Sequence, residues 1–277
     1  MRNKPMNRKK KNSAVGSPYY VWMIIFIFVP LVMVAYYSFT DQNGSFTLEN
    51  IANLGAYADT FVLSIALGAA ATLISLIIAY PLAFIISRTK ASTQKMMIML
   101  VMLPMWMNLL LRTYSWMTII EDTGIINTLL GKIGIPPIHF INTAGSVIMG
   151  MVYNFLPYMI LPLYSAMTKI DRSILEAAED LGADIFHKVT KVIFPLSVPG
   201  VVSGITMVFV PSVSTFYISQ KLGGANYTLI GDVIDTQFLN SSRNMGATLS
   251  LVLMVLIFIC MILMNQFADE DGEAVIV

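Results

Sequence analysis

Six apolar blocks, each long enough to cross a lipid bilayer, constrain the fold of this chain more than any other feature. A helix needs about 20 apolar residues to span the hydrocarbon core of a membrane. The blocks occupy residues 19–39, 61–86, 96–120, 146–167, 199–219 and 247–267. Alternating strands of about ten residues, the pattern of a membrane barrel, are absent from the sequence. Because backbone polar groups in lipid must be satisfied internally, we predict an all-α membrane protein with six transmembrane helices.

The amino-acid composition supports this interpretation. Of the 277 residues, 56% are hydrophobic and only 12% are charged, whereas a soluble domain carries roughly 25% charged residues. The formal net charge of +1 gives no bias toward a nucleic-acid partner. Cys260 is the single cysteine, which excludes an intrachain disulfide and a cysteine-based metal site. We therefore expect membrane lipid, and no nucleic acid, around this chain.

Basic residues are distributed unevenly between the connecting segments and so predict the orientation. Six lie in the N-terminal tail, three between blocks two and three, and four between blocks four and five. The segments on the opposite side hold three in all. Because cytoplasmic loops are enriched in lysine and arginine, both termini and residues 168–198 are predicted to be cytoplasmic. The first block is too long for the apolar core of a signal peptide, and we interpret it as a retained span.

These assignments divide the chain into three parts. Residues 1–18 form a basic cytoplasmic tail, residues 19–267 a six-helix transmembrane domain, and residues 268–277 an acidic cytoplasmic tail. Inside the domain, Arg112 is the one ionisable residue deep in an apolar block, where charge is costly. We expect it near the outer boundary, paired with a carbonyl or a carboxylate. Gly200 and Gly204 have the spacing that permits close approach of two helices.

The predicted loop between blocks four and five carries the most informative local pattern. From Asp171 to Gly200 it reads DRSILEAAEDLGADIFHKVTKVIFPLSVPG. Ser173 followed by Glu176 has the spacing of a capping box, which begins a helix, and Gly182 ends or bends that helix. Apolar residues recur at helical spacing on both sides of Gly182. We predict two short helices joined by a turn, with an exposed apolar edge of the kind that binds a protein partner.

This loop resembles the EAA loop of ATP-binding-cassette (ABC) importer permeases. The family pattern is Glu-Ala-Ala, three residues, Gly, nine residues, and then Ile-x-Leu-Pro. Val192 and Phe194 depart from the pattern but remain apolar. The resemblance implies a MetI-like permease bundle, and it implies that the matching residues dock on an ATPase, these being Glu176, Ala177, Ala178, Gly182 and Pro195.

The resemblance also implies the partners and the location. Permeases of this family lie in the inner (cytoplasmic) membrane and work with a cytoplasmic ABC ATPase dimer, a second permease subunit and an extracytoplasmic substrate-binding protein. The ATPase binds ATP and magnesium, and no cofactor is expected on this chain, which is not expected to be an enzyme. A phosphate loop needs G-x-x-x-x-G-K-[ST], but the Gly131-Lys132 pair has Ile126 where the first glycine belongs.

Two further motifs resemble the spermidine/putrescine branch of the family. Residues 104–116 read PMWMNLLLRTYSW and residues 154–164 read NFLPYMILPLY, and a Leu-Gly-Gly turn follows at 222–224. This resemblance implies polyamine transport. Permeases for ferric iron, sulfate or thiamine share parts of these motifs, so another small solute stays an alternative. A stand-alone secondary transporter is less favoured, because such proteins usually need buried acids and the apolar blocks hold none.

A polyamine pathway needs aromatic faces and carboxylates, since both attract ammonium groups. Residues 230–238 are predicted to form a short external amphipathic helix with Asp232 and Asp235 on its acidic face. The alternative for this helix is a solvated loop helix that packs on the bundle. The alternative for the aromatic residues is a belt at the membrane interface. The aromatic candidates for the pathway are Trp106, Tyr114, Trp116, Tyr153 and Tyr158.

Overall fold

The computed structural model describes residues 17–240 and 242–273 and shows a helical protein. Most of the predicted basic tail, residues 1–16, lies outside these residues. In the described part, the one extended pairing is an isolated bridge between Thr40 and Phe46. The principal helices are α1 (Pro18–Ser38), α2 (Ala58–Arg88), α3 (Ala91–Trp106), α4 (Leu109–Ile120), α5 (Ile125–Lys132), α6 (Ala144–Thr168), α7 (Arg172–Asp180), α8 (Ile185–Ser214), α9 (Ile230–Leu239) and α10 (Arg243–Glu273).

Five of these helices, α1, α2, α6, α8 and α10, belong to segments long and apolar enough to cross a membrane. A sixth candidate is the pair formed by α3 and the segment Leu109–Lys132, which are bent by 90° relative to each other. The predicted all-α class is therefore confirmed, and the described chain has six spans if the bent pair counts as one.

The third span, predicted at residues 96–120, is broken near its middle. Pro104 lies in a 3₁₀ turn that ends α3, and Met107 after it is extended, with ψ 147°. Asn108 then caps a new helix, its side chain accepting a hydrogen bond from the Leu110 N–H at 2.7 Å. A proline that ends one helix and a cap that begins the next produce the change of direction.

Two other predicted boundaries also shift. The fifth span was predicted at 199–219, but α8 begins at Ile185, inside the predicted loop, and ends at Ser214, since Thr215 is extended with ψ 145°. The sixth span was predicted to end at 267, but α10 continues to Glu273, into the predicted acidic tail. Residues 274–277 of that tail lie outside the described residues.

Helices α2, α6 and α8 pack on one another and form the centre of the bundle. The contact between α6 and α8 depends on small residues. A Cβ atom at Gly200 would lie 2.6 Å from the Cβ of Ala166 and 2.9 Å from the carbonyl oxygen of Pro162. A Cβ atom at Gly204 would lie 2.6 Å from the sulfur of Met159. The glycine pair therefore lets the two backbones approach closely, while α10 packs against α1, α8 and α9.

Replacement of Gly200 by alanine should destabilise the protein. The added methyl group meets the α6 backbone, and overpacking of this kind costs roughly 1–3 kcal/mol. The matched control is Gly131→Ala in the exposed end of α5, where a Cβ meets nothing within 4 Å and helix propensity favours alanine by up to about 1 kcal/mol. Thermal unfolding of the detergent-solubilised protein should therefore shift down for Gly200→Ala and stay level or rise for Gly131→Ala. Equal shifts would contradict the close packing.

Candidate functional site

The loop that resembles the EAA loop begins with α7. The Asp171 side chain accepts a hydrogen bond from the Ser173 N–H at 3.1 Å and caps the helix. The prediction that Ser173 is the cap is therefore wrong by two residues, because the carboxylate of Asp171 reaches the free N–H groups first. The hydrogen bond from the Ser173 backbone lowers the pKa of Asp171, so the cap remains charged at neutral pH.

Gly182 ends the first helix of the loop, as predicted. Its φ of +82° is in the left-handed region that favours glycine. The Gly182 N–H donates to the Glu179 carbonyl at 2.8 Å, and the Ala183 N–H donates to the Ala178 carbonyl at 3.0 Å. These two bonds form a Schellman motif. Asp184 then caps α8 by accepting from the His187 N–H at 2.8 Å, so the turn is closed on both sides.

The apolar residues of the loop divide between two sides. Leu175 and Val189 pack against the buried core formed by α2, α6 and α8. Leu181, Ile185 and Phe186 are exposed by 89%, 68% and 70%. We call these three residues the outer patch. A structured loop that exposes three large apolar side chains together has the character of a protein-binding surface.

Glu176 and Ala177 are exposed beside the outer patch, and Ala178 is half-buried. Pro195 lies near the other end of the loop, two residues past a π-helical turn at Val189–Ile193. A proline removes the hydrogen bond to the residue four positions before it and clashes with that carbonyl. The π-helical turn contains Lys191, four positions before Pro195, and α8 continues from the loop into the bundle.

Arg88 joins the base of the loop to the end of α2. Its guanidinium donates to the carbonyl of Ile170 and to that of Met167, each at 3.3 Å. Gln94 donates to the carbonyls that end α2 and accepts from the hydroxyl of Tyr164 in α6 at 3.0 Å. Sequence reasoning used Arg88 only for orientation. A basic residue at the C-terminal end of a span, where free carbonyls collect, could have indicated this role.

The five predicted pathway aromatics do not form one cluster. Trp116 of α4 and Tyr153 of α6 are in edge-to-face contact, with their ring centroids 5.2 Å apart. Tyr114 contacts Tyr217 instead, which sequence reasoning missed, at 6.2 Å between centroids. Trp106, at the break between α3 and α4, is 74% exposed, and Tyr158 is 39% exposed. Of the five candidates, the structure thus brings Trp116 and Tyr153 into contact with each other.

Asp232 does not share an exposed acidic face with Asp235, which corrects the prediction for this helix. Asp232 is 4% exposed. It accepts hydrogen bonds from the Leu229 N–H at 2.7 Å and from the Ser219 hydroxyl at 3.0 Å. Burial raises the pKa of its carboxyl, while these two hydrogen bonds oppose the shift. Asp232 therefore holds the start of α9 against the segment after α8, because it satisfies an N–H that α9 leaves free.

Asp235 is the acidic residue of α9 that remains accessible. It borders an open groove of about 590 Å³ between α8, α9 and α10, together with Phe216, Phe238 and Phe258. Asp235 and these aromatic side chains thus line the same groove.

Arg112 also differs from the prediction. It is 8% exposed, and its Nε and Nη1 atoms have no hydrogen-bond partner among the described residues. The expected pairing of these atoms with a carbonyl or a carboxylate is therefore not present in the described part of the chain.

A family model described as the binding-protein-dependent transport system inner membrane component matches residues 6–269. The chain belongs to this family. It is therefore an inner-membrane component of a transport system.

Several characterised proteins are similar in sequence to this chain over most of its length. It is 40% identical over 254 residues to the spermidine/putrescine transport system permease protein PotB of Haemophilus influenzae, covering 86% of this chain and 89% of the relative. It is 33% identical to PotB of Escherichia coli, covering 86% and 92% of the two chains. Among solved structures, a chain of a bacterial ABC transporter that imports alginate superimposes with a TM-score of 0.75 at 16% identity, covering 94% and 95% of the two chains. This last likeness shows the shared fold.

A β-branched residue at position 182 should open the loop of the permease. Gly182→Val forces a left-handed backbone that costs an L-residue about 1–2 kcal/mol, and such a loss changes an opening equilibrium roughly 5- to 30-fold. Trypsin should therefore cleave the solubilised variant faster at Arg172, Lys188 or Lys191. Gly182→Asn is the matched control, because asparagine tolerates this conformation. Equal cleavage of the valine variant and the wild type would contradict the role of the turn.

The two aspartates of α9 should differ in their effect on stability. Asp232 accepts one hydrogen bond on each carboxylate oxygen, from the Ser219 hydroxyl and the Leu229 N–H. Asp232→Asn replaces one of these oxygens by an NH₂ group, and a buried donor left without an acceptor costs about 1–3 kcal/mol. Asp235→Asn changes an accessible residue and should stay within about 0.5 kcal/mol. The two variants are compared by thermal unfolding at neutral pH. A larger loss for Asp235→Asn would show that the buried carboxylate is not the residue that fixes α9.

Proposed function

We propose that this chain is one permease subunit of an ABC importer that moves spermidine and putrescine inward across the inner membrane. The observation that carries the proposal is the likeness to two spermidine/putrescine permeases over most of both chains. The motif at 104–116 lies in α3 and α4, which form the bent span, and the motif at 154–164 lies in α6 at the centre of the bundle.

The loop between α6 and α8 is the proposed docking surface for a cytoplasmic ABC ATPase dimer. The outer patch supplies apolar contact area, and Glu176, Ala177 and Ala178 lie beside it on α7. Small side chains at the two alanines allow a partner backbone to approach closely. ATP and magnesium bind to the ATPase, and this chain contributes no cofactor and no hydrolysis of its own.

Three other features of the assembly follow from the proposal. A second permease subunit, a different chain, completes the pathway, and an extracytoplasmic substrate-binding protein delivers the polyamine. The outer patch and both termini face the cytoplasm. The uneven distribution of basic residues supports this orientation, because thirteen lie on the side of the loop and three on the other.

The aromatic residues near the bent span are suited to a flexible polycation. An ammonium group within about 6 Å of a ring centroid gains about 0.5–2 kcal/mol, depending on how far water is excluded. Trp116 and Tyr153 offer such faces, and so do Tyr114 and the exposed Trp106 and Tyr158. Asp235 adds one accessible carboxylate to a groove that aromatic side chains also line. Modest contacts in series allow a substrate to enter and also to leave.

Uptake of labelled spermidine tests the proposal directly. Cells that lack the gene should lose high-affinity uptake and regain it when the wild-type gene is restored. Excess unlabelled putrescine should compete with the label, whereas ferric iron, sulfate and thiamine should not. A restored strain with an inactive ATPase subunit is the control for coupling. Uptake that is unchanged by loss of the gene, or that is blocked by one of the other solutes, would contradict polyamine import.

A further inference from the structure

The side chain of Lys221 lies over two tyrosine rings. Its Nζ atom is 5.4 Å from the ring centroid of Tyr114 and 5.8 Å from that of Tyr217. The two rings meet edge to face, with 78° between their planes. An ammonium group at this position is attracted by the negative π face of each ring. The aromatic pair therefore already binds a primary ammonium, and this ammonium belongs to the protein itself.

The two rings are the contacts that stabilise this charge. Lys221 forms no salt bridge with an acidic side chain of the described residues. A lysine carries its charge on a flexible four-carbon stem, so the ammonium can leave the rings without movement of the backbone. Tyr114 is 43% exposed, which leaves its ring open to a cation from outside the chain.

The backbone around Lys221 is held firmly. Lys221 lies in the π-helical turn Ser219–Gly223. Its neighbour Leu222 is fully buried, and the Leu222 carbonyl accepts hydrogen bonds from the Ser146 hydroxyl and from the Asn142 N–H, each at 2.8 Å. Ile218, one turn earlier, is also fully buried. The backbone beside Lys221 is thus anchored, and its ammonium reaches the two rings on a flexible four-carbon stem.

We propose that Tyr114 and Tyr217 bind a primary ammonium group of the transported polyamine, and that Lys221 occupies this site until the substrate displaces it. The inference rests on the proposed function and adds to it a defined binding site and a built-in competitor. A polyamine presents the same chemical group as the lysine side chain, a primary ammonium at the end of a methylene chain. The exchange forms and breaks no covalent bond, and it conserves the charge at the rings.

A site that its own protein occupies binds an external ligand more weakly, in proportion to the fraction of time for which the site is free. If Lys221 covers the rings for roughly 70–95% of the time, its removal raises the apparent affinity for a polyamine about 3- to 20-fold. An arginine at this position would retain the charge and the competition. A variant without the Tyr114 ring would lose the site itself.

The test measures binding of labelled spermidine to the assembled importer in lipid nanodiscs, without the substrate-binding protein. Lys221→Met should bind spermidine about 3- to 20-fold more tightly than the wild type. Lys221→Arg should bind like the wild type. The double variant Lys221→Met, Tyr114→Leu should lose the gain. Lys221→Gln replaces the methionine variant if that protein does not assemble, with assembly judged by co-purification of the subunits.

Three results would overturn the inference: equal affinity of Lys221→Met and the wild type, a gain that persists in the double variant, or no measurable spermidine binding in any of these proteins. Failure of the proposed function is seen separately, since wild-type cells would then take up no spermidine through this importer. Wild-type uptake together with unchanged binding in Lys221→Met would contradict the Lys221 exchange and leave polyamine import intact.

Discussion

The close contact between α6 and α8 is the interaction on which the rest of this permease depends. Gly200 and Gly204 bring α8 to within van der Waals distance of the α6 backbone at Pro162 and Met159. Lipid tails are as apolar as the helix surfaces, so helix association in a membrane relies on such close packing rather than on exclusion of water. The chain between α6 and α8 is the loop that resembles the EAA loop. The same contact therefore fixes the centre of the bundle and the two ends of the loop.

The loop is linked to the bundle by more than its two chain connections. Arg88 binds the carbonyls at its base, and Leu175 and Val189 pack into the core beneath it. The outer patch is exposed. A force applied to the outer patch would reach α2 through Arg88 and α8 through the continuous helix that begins at Ile185. If the proposed ATPase docks on the outer patch, this arrangement gives a physical route from it to the central helices α2 and α8.

Most of the fold could be predicted from hydropathy, because span length is set by bilayer thickness and each helix satisfies its own backbone. The break at Met107 could not be predicted in this way, since mean hydropathy does not report where a helix changes direction. Pro104 followed by Asn108 was the available signal.

The orientation of Asp232 was missed for a similar reason. Periodicity over ten residues separates two faces of a helix but does not show which face meets the bundle, and Asp232 is buried because it satisfies the Leu229 N–H. The turn at Gly182 was predictable because its conformation is local and favours glycine.

The most direct test of the account is a covalent crosslink from the outer patch to the ATPase in the assembled importer. Leu181→Cys, in a Cys260→Ser background, places a single thiol on a side chain that is 89% exposed. A short thiol-to-amine reagent should join this thiol to the ATPase subunit. A thiol from Asn240→Cys, at the end of α9, should form no such product. A crosslink to the ATPase from position 240, or none from position 181 in a complex that is shown to be assembled, would contradict the assignment of the loop as the coupling surface.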